Sequence, residues 1–271
     1  MNAEPIINPH ATNVTDVNIW LSRWPFRRLQ LDETPRLVAK LRALGIRQAW
    51  AGSYDSVLHR DIDGVNSRLA NECRHEELAG MLIPFGTVNP TLPDWEEDVR
   101  RCREVYNMPG VRLIPNYHGY KLDDPLFLRL LELCTQHQLI VQIAASMEDE
   151  RTQHPLMRVP VVELADLPAA MAKVPAARVI LLNALRTARG GEPLTLLNKC
   201  EHLWLDIATL EGIGGVGNVL AKYPVDRFLF GSNAPFFYPE LAMLKLKESA
   251  VAGDALKSLT GDNARKLLTA V

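Results

Sequence analysis

Two short segments of this chain carry histidine, acidic and basic side chains close together, a combination suited to proton transfer. Arg112–His118 reads RLIPNYH, and Glu148–His154 reads EDERTQH. A histidine beside a carboxylate can act as a general acid or base, and the guanidinium fork of arginine matches the shape of a carboxylate. We therefore expect these two segments to lie side by side and to act on an anionic small molecule.

The hypothesis assigns a role to each residue type. His118 or His154 is the predicted general acid or base, and Glu148 or Asp149 orients it. The predicted anchors for a substrate carboxylate are Arg27, Arg112, Arg151 and Arg186. The alternative for the histidines and the acidic run is a solvated surface position without a catalytic role.

Eight short apolar runs recur along the chain, and a helical pattern follows each of them. The runs are Val14–Trp20, Ile46–Ala51, Met81–Val88, Gly110–Pro115, Leu139–Ala144, Arg178–Leu182, Leu203–Ala208 and Arg227–Phe230. Most are continuously apolar, which is typical of parallel strands buried on both faces. Eight such strands alternating with helices in 271 residues predict an α/β fold, a (β/α)8 TIM barrel, which we take as a single domain over 1–271.

An open, doubly wound sheet is the rival architecture. It would normally place a glycine-rich phosphate loop after its first strand, but Leu21–Phe26 contains no glycine. The later stretch Gly212–Gly217 has the glycines, but it follows the seventh run and is interpreted as a loop. Helix starts are indicated by Thr34–Pro35 and Asp124–Pro125, each a capping residue before a first-turn proline.

Composition excludes several classes of function. The chain has 30 basic and 32 acidic residues, a net charge of -2, and 47% hydrophobic residues, so neither disorder nor nucleic-acid binding is expected. No secretory signal and no apolar run long enough for a membrane span are visible, which predicts a cytoplasmic protein without a membrane partner. The cysteines, which we interpret as buried reduced thiols without a zinc site, are Cys73, Cys102, Cys134 and Cys200.

Barrel active sites lie at the C-terminal ends of the strands, so the polar residues that end each run are the candidates. The predicted substrate-binding residues at this end are Asn18, Trp20, Tyr117, Gln142, Asn183 and Asn233. Arg112 also ends a run. The alternative to its role as an anchor is a buried ion pair with Asp16 or Asp206 that only stabilises the fold.

Four segments resemble motifs of the amidohydrolase-related family, in its decarboxylase-like and lactonase-like branch. Asp16–Trp20 (DVNIW) is similar to the first-strand D-x-H-x-H, and Val179–Asn183 (VILLN) to a sixth-strand run that ends in histidine. Phe228–Pro235 (FLFGSNAP) resembles the eighth-strand F-G-S-D-x-P, and Gly261–Leu268 (GDNARKLL) resembles the closing G-x-N-A-x-x-L-L. The resemblance implies a TIM barrel, a pocket at the strand ends and a homodimer.

The resemblance also implies a divalent-metal site, but the ligand residues differ here. The positions that correspond to the family's four histidines and one aspartate are Asn18, Trp20, Ala144, Asn183 and Asn233. None of these side chains offers an imidazole or a carboxylate, and a neutral amide oxygen is a weak ligand. We therefore predict that this chain has no metal at that place and no other cofactor, and that the three asparagines bind a polar group of the substrate instead.

Three functions follow from these observations. The first is an enzyme that hydrolyses a lactone or amide, or decarboxylates an acid, without a metal, acting on a small substrate that bears a carboxylate. The second is a catalytically inactive barrel that binds a small molecule or a protein partner. The third is a hydrolase whose metal has moved to His118, His154, Glu148 and Asp149.

Overall fold

Eight parallel strands, each followed by helix, form the frame of the protein. The computed structural model describes residues 13–78, 80–185 and 192–270. The strands are β1 Val14–Leu21, β2 Ile46–Ser53, β3 Leu82–Pro84, β4 Gly110–Leu113, β5 Ile140–Ala144, β6 Val179–Leu182, β7 Leu203–Asp206 and β8 Phe228–Leu229. All eight predicted runs are therefore strands.

Two ladders of strands meet to close a barrel. Strands β1 to β3 form one parallel ladder, and β4 to β8 form the other. The N–H of Gly86 donates to the carbonyl of Gly110 at 3.1 Å, which joins β3 to β4. On the other side, the N–H of Val17 donates to the carbonyl of Phe230 at 2.9 Å, which joins β1 to β8. This closure confirms the predicted TIM barrel and excludes the open sheet.

The helices lie outside the strands. They are α1 Thr34–Ala43, α2 Ile62–Arg74, α3 Trp95–Glu104, α4 Pro115–His118, α5 Pro125–Gln136, α6 Leu167–Lys173, α7 Glu192–Leu196, α8 Gly215–Leu220, α9 Pro239–Glu248, α10 Gly253–Lys257 and α11 Asn263–Thr269. The carboxylate of Asp124 caps α5 as predicted, accepting from the N–H of Leu126 at 2.8 Å. The other predicted cap is wrong: α1 begins at Thr34 itself, and its hydroxyl donates to Glu72.

The apolar side chains of the strands form two layers. One packs between the strands and the helices, and the other fills the inside of the barrel with Val17, Trp50, Phe85, Ile180 and Leu229. Because both faces of each strand are buried, the strand sequences are continuously apolar rather than alternating. The barrel is thus a packed core, and its polar residues lie at the carboxyl ends of the strands.

The four cysteines are free and buried, as the sequence predicted. Among the helices of the part of the chain that the structure describes, none has the length and apolar character that a bilayer span requires.

Candidate active site

Three side chains from separate strands form a buried hydrogen-bond network at the carboxyl end of the barrel. The amide nitrogen of Asn18 on β1 donates to Oδ1 of Asn183 at 2.9 Å and to Oδ2 of Asp206 at 2.7 Å. The backbone N–H of Asn183 donates to the second oxygen of Asp206 at 2.8 Å. All three residues are almost fully buried. The ends of β1, β6 and β7 are thereby joined around one carboxyl group.

Backbone geometry at the strand ends supports this network. Asn183, which follows β6, and Asn233, which follows β8, both have left-handed φ values, 58° and 56°. Asparagine adopts this conformation more readily than other non-glycine residues. A Cβ atom on Gly231 would lie 2.5 Å from Oδ2 of Asp206. Glycine is therefore required there for β8 to approach the carboxyl group.

A second carboxyl group lies beside the first. Oδ1 of Asp16 accepts from the backbone N–H of Asn18 and from that of Ser232, each at 3.0 Å. Oδ2 of Asp16 has no hydrogen-bond partner among the described residues. Asp16 is fully buried, so its charged form is strongly disfavoured.

Burial raises the pKa of both carboxyl groups towards neutrality. The pKa of Asp16 rises to about 7, and the negative charge of Asp206 adds to the rise. Burial also raises the pKa of Asp206 to about 6, although the hydrogen bonds from Asn18 and Asn183 oppose the rise. The nearby positive charges of Lys245 and Arg112 oppose it as well. The pair can therefore hold or release a proton near neutral pH, as acid–base catalysis requires.

Arg112 lies inside the barrel rather than in an open pocket, with 1% of its surface exposed. Its Nε donates to the side-chain oxygen of Gln142 at 2.8 Å, and its Nη atoms donate to the carbonyls of Ile19, Val17 and Trp50. Four of its five N–H groups are thus engaged within the protein. This does not fit the predicted role of Arg112 as an anchor for a substrate carboxylate. The alternative, an ion pair of Arg112 with Asp16 or Asp206, does not form either, because the hydrogen bonds of Arg112 go to neutral oxygens.

Gln142 is engaged in the same way. Its amide nitrogen donates to the carbonyl of Val17 at 3.0 Å, and its oxygen accepts from Arg112. It is fully buried. In this arrangement the Gln142 side chain links β5 to β1 and β4 inside the barrel, which does not fit its predicted contact with substrate.

The two predicted histidines lie in different surroundings. His118 is buried at the end of α4, and its Nε2 is 2.9 Å from the carbonyl oxygen of Ser56. Burial lowers the pKa of His118, so the ring is neutral at neutral pH. His154 is exposed, and its Nδ1 accepts from the N–H of Leu156 at 3.2 Å. The ring of His118 is thus oriented by a backbone carbonyl, not by the predicted carboxylates.

The predicted acidic residues pair with arginine. Oε2 of Glu148, which is nearly buried, accepts from Arg27 at 3.3 Å. Arg151 is 82% exposed, and its Nε and Nη2 atoms donate to the carboxylate of Asp149. Arg27 is thus held by a buried carboxylate, whereas Arg151 is paired with its near neighbour Asp149 in solvent. Arg186, the fourth predicted anchor, lies outside the described residues.

Aromatic side chains pack together at the carboxyl ends of β1 and β2. Trp20 stacks on Tyr54 with ring centroids 5.4 Å apart, and Trp24 contacts Tyr54, Phe236 and Tyr117 edge to face. The guanidinium of Arg112 lies 4.7 Å from the centre of the Trp20 ring on the inner side. We call Trp20, Trp24, Tyr54, Tyr117 and Phe236 the aromatic cluster. It lies at the barrel mouth, and of its five members the sequence predicted Trp20 and Tyr117 as substrate-binding residues.

A small enclosed cavity lies beside the aromatic cluster. Its volume is about 10 Å3, which is room for about one water molecule. Its walls include Tyr117, Ser146, Met147 and Glu148. The amide of Asn233 lies near this wall, with its nitrogen donating to the carbonyl of Met147 at 3.2 Å. A molecule larger than water therefore does not fit this cavity unless these side chains move.

The residues present do not fit a divalent ion at the position implied by the resemblance. Asn18 turns its amide hydrogens, not an oxygen, towards Asn183 and Asp206, and these hydrogens would repel a cation. Both oxygens of Asp206 already accept hydrogen bonds. Within 13–78, 80–185 and 192–270, no three His, Cys, Asp or Glu side chains lie close enough together to hold a metal. The alternative metal site predicted around His118 and Glu148 therefore does not form among these residues.

The sequence matches the family model described as Amidohydrolase over residues 22–269. The chain belongs to the amidohydrolase family. No curated protein is similar enough in sequence to count as a match. The predicted resemblance is therefore confirmed at the level of the family.

Solved structures similar to this amidohydrolase-family protein include decarboxylases. A 2,6-dihydroxybenzoate decarboxylase from Rhizobium has 13% sequence identity and a TM-score of 0.74, covering 95% of this chain and 99% of its own. An IDCase from Metarhizium anisopliae has 15% identity and a TM-score of 0.73, covering 97% and 98%. A 5-carboxyvanillate decarboxylase from Novosphingobium aromaticivorans, complexed with manganese, has 14% identity and a TM-score of 0.72, covering 96% of each chain. At these identities the likeness establishes the fold.

Sequence reasoning missed two functional candidates in this amidohydrolase-family protein. Asp206 and Tyr54 both belong to the strand-end residues that the sequence marks as candidates, but Asp206 was given a role only as a possible partner for Arg112, and Tyr54 was given none. Asp206 ends a strand run, and this signal identifies strand-end carboxylates in any barrel. Tyr54 follows β2 directly and carries the same signal.

Proposed function

We propose that this protein is an enzyme that acts on a small carboxylate-bearing substrate at the barrel mouth without the divalent ion used by relatives. The observation that carries the proposal is the carboxyl group of Asp206, held at the strand ends by Asn18 and Asn183. Its pKa of about 6 suits a proton carrier near neutral pH. Family membership and the enzymatic activity of similar structures support an enzyme.

Two reactions suit such a group. In hydrolysis of a lactone or amide, the ionised carboxylate takes a proton from water as the water oxygen bonds to the carbonyl carbon. The proton then passes to the leaving oxygen or nitrogen as its bond to that carbon breaks. In decarboxylation, the protonated carboxyl group gives its proton to the carbon that loses carbon dioxide, so a C–H bond replaces a C–C bond. Solvent then returns the proton to the carboxylate. Decarboxylation is supported by the named activities of the similar structures.

The alternative is a barrel that binds a ligand without turnover. The separation of the predicted catalytic residues favours it, because His118 is buried against Ser56 whereas His154 is exposed. The packed aromatic cluster and the small cavity also favour it.

The experiment measures turnover by metal-free protein. After treatment with a chelator and elemental analysis, the protein is assayed against a panel of lactones and amides for hydrolysis and a panel of small carboxylic acids for release of carbon dioxide. We expect turnover that added Mn2+ or Zn2+ does not raise. Turnover only with added metal contradicts the proposal, and binding without turnover supports the alternative.

Variants identify the proton carrier. Asp206→Asn should abolish turnover, whereas Asp98→Asn should leave it unchanged, although burial raises the pKa of Asp98 on the outer helix α3 to about 6 as well. His118→Ala and His154→Ala test the residues predicted from the sequence. Full activity in Asp206→Asn, with loss in either histidine variant, would return the catalytic role to that histidine.

A further inference from the structure

A groove lies at the amino ends of the last three strands, opposite the candidate active site. Its volume is about 670 Å3, which is the size of a small-molecule pocket. Arg178 directly precedes β6, Arg227 directly precedes β8, and both line the groove. Trp204 of β7 and Lys266 of α11 line it as well. Because barrel reactions take place at the other end of the strands, this groove is separate from the candidate active site.

Backbone carbonyls hold the two guanidinium groups of the groove in place. Nη1 and Nη2 of Arg178 donate to the carbonyls of Leu267 at 3.1 Å and Gln138 at 2.6 Å. Nε and Nη2 of Arg227 donate to two carbonyls at and before the start of β7, at 2.8 Å and 2.6 Å. A guanidinium has five N–H groups. Each arginine therefore keeps three N–H groups without a partner among the described residues.

Neither guanidinium is paired with a carboxylate. Within the part of the chain that the structure describes, no acidic side chain forms an ion pair with Arg178 or Arg227. Burial lowers the pKa of Arg178, and the positive charge of Arg103 lowers it further. Burial also lowers the pKa of Arg227, although the charge of Asp226 opposes part of the fall. Charged side chains that lie partly out of water are normally paired, so these two arginines need a counter-ion that a ligand can supply.

The charge on the walls of the groove favours an anion. Its basic residues are Arg178, Arg227 and Lys266, and its acidic residues are Glu201 and Asp226. The two acidic residues are exposed, whereas both arginines are half-buried, so water screens the positive charge less. A phosphate group carries about two negative charges and three strong acceptor oxygens. It therefore matches two guanidinium groups better than a single carboxylate does.

An aromatic surface lies between the two arginines. The rings of His202 and Trp204 are parallel to within 22°, with centroids 6.3 Å apart, and both residues line the groove and are partly exposed. Nε1 of Trp204 donates to the carbonyl of Asp226 at 3.0 Å, which fixes the ring. Since β7 lies between β6 and β8, two strand spacings, roughly 10 Å, separate the backbones of Arg178 and Arg227. A flat ring that bears a phosphate group fits this span.

We propose that this groove binds a phosphate ester of a flat ring compound, with the phosphate on Arg178 and Arg227 and the ring against His202 and Trp204. The proposal concerns a second ligand of the protein, at the end of the barrel that carries no catalytic groups. It goes beyond the reaction proposed at the barrel mouth and does not depend on it.

The test is calorimetric binding of AMP, inorganic phosphate and adenosine. AMP should bind most tightly, because phosphate lacks the ring and adenosine lacks the charge. Arg178→Gln and Arg227→Gln should each raise the Kd for AMP about tenfold to hundredfold, the usual effect of losing hydrogen bonds from a charged group. Arg27→Gln is the matched control, because Arg27 lies after β1, pairs with Glu148 and does not line the groove. It should leave the Kd unchanged.

The arginine variants also remove contacts to backbone carbonyls, so a lysine variant separates binding from folding. Lys266 is exposed, and its ammonium group has no partner among the described residues. Lys266→Gln should raise the Kd for AMP about twofold to fivefold, as expected for one exposed charge, and leave the thermal midpoint of the ligand-free protein unchanged. Lys173→Gln, at an exposed position on α6 outside the groove, should change neither.

The outcomes are distinct from those of the turnover assays. Absence of AMP and phosphate binding to the wild-type protein would overturn the groove as a phosphate site. So would a wild-type Kd for AMP in both Arg178→Gln and Arg227→Gln, or a rise in Kd confined to Arg27→Gln. Equal Kd values for AMP and inorganic phosphate would overturn the contact of a ring with His202 and Trp204. None of these results depends on whether the protein turns over any substrate.

Discussion

The buried carboxyl group of Asp206 should make the protein less stable as the pH rises, and Asp206→Asn isolates this effect. In the folded protein, burial raises the pKa of Asp206 from its ordinary 3.8 to about 6. The folded state therefore binds this proton more tightly than the unfolded state. The stability that the folded protein gains from binding this proton is fully present below about pH 4 and is lost as the pH rises through about 6.

The size of the effect follows from the two pKa values. At about 1.4 kcal/mol per pKa unit, the change from 3.8 to about 6 corresponds to about 3 kcal/mol of unfolding free energy. The amide introduced by Asp206→Asn cannot ionise, so the variant does not lose this unfolding free energy as the pH rises. The charge of Asp206 also raises the pKa of Asp16, so its removal flattens the pH dependence further. The lowered pKa of His118 acts in the opposite direction, but it is common to both proteins and cancels in the difference.

The assay is urea unfolding of both proteins, followed by tryptophan fluorescence, at pH values from about 4 to about 8. At low pH the variant should be the less stable protein, because the amide cannot accept from both Asn18 and the N–H of Asn183. Its stability relative to wild type should then improve by about 3 kcal/mol across this range. Asp254→Asn is the control, since that side chain is 96% exposed. A difference that stays constant with pH, or that changes the other way, would refute a raised pKa for Asp206.

Three further predictions concern the frame of the site. Gly52→Ala should destabilise the protein by about 1–3 kcal/mol in urea unfolding, because a Cβ there would lie 2.8 Å from Cδ of Arg112. Gly215→Ala is the control and should not destabilise it, because that Cβ would meet Leu210 at an ordinary contact distance of 3.5 Å. Arg112→Met should cost roughly 2–4 kcal/mol, because the carbonyls of the barrel interior lose their donor; a stability equal to wild type would contradict this. Treatment with a chelator should leave the thermal midpoint unchanged, and a fall restored by Mn2+ would show a metal site that the donor set does not indicate.

The location of the site was predictable because it depends on local pattern and on a general rule. Continuously apolar runs identify buried parallel strands, and the residues that end them lie at one end of a barrel. Asn18 and Asn183 were predicted in this way, and a hydrogen bond of 2.9 Å joins their side chains across 165 residues of sequence.

The partners of the charged residues were not predictable in the same way. Arg112 occupies a strand end like Asn18, but its side chain runs into the barrel and ends on backbone carbonyls of β1 and β2. The direction of a side chain at a strand end depends on the register of the neighbouring strands. That register is set by closure of the barrel, which no single segment contains.

The sequence by itself determined the strands, the family motifs and the loss of imidazole and carboxylate groups at the metal positions, because these are properties of residue type and spacing. Only the tertiary structure decided that Asp206 is the carboxyl group at the centre of the network, that His118 and His154 lie in different surroundings, and that Arg178 and Arg227 line one groove. Burial, distance and hydrogen bonding between residues far apart in the chain exist only once the barrel is closed.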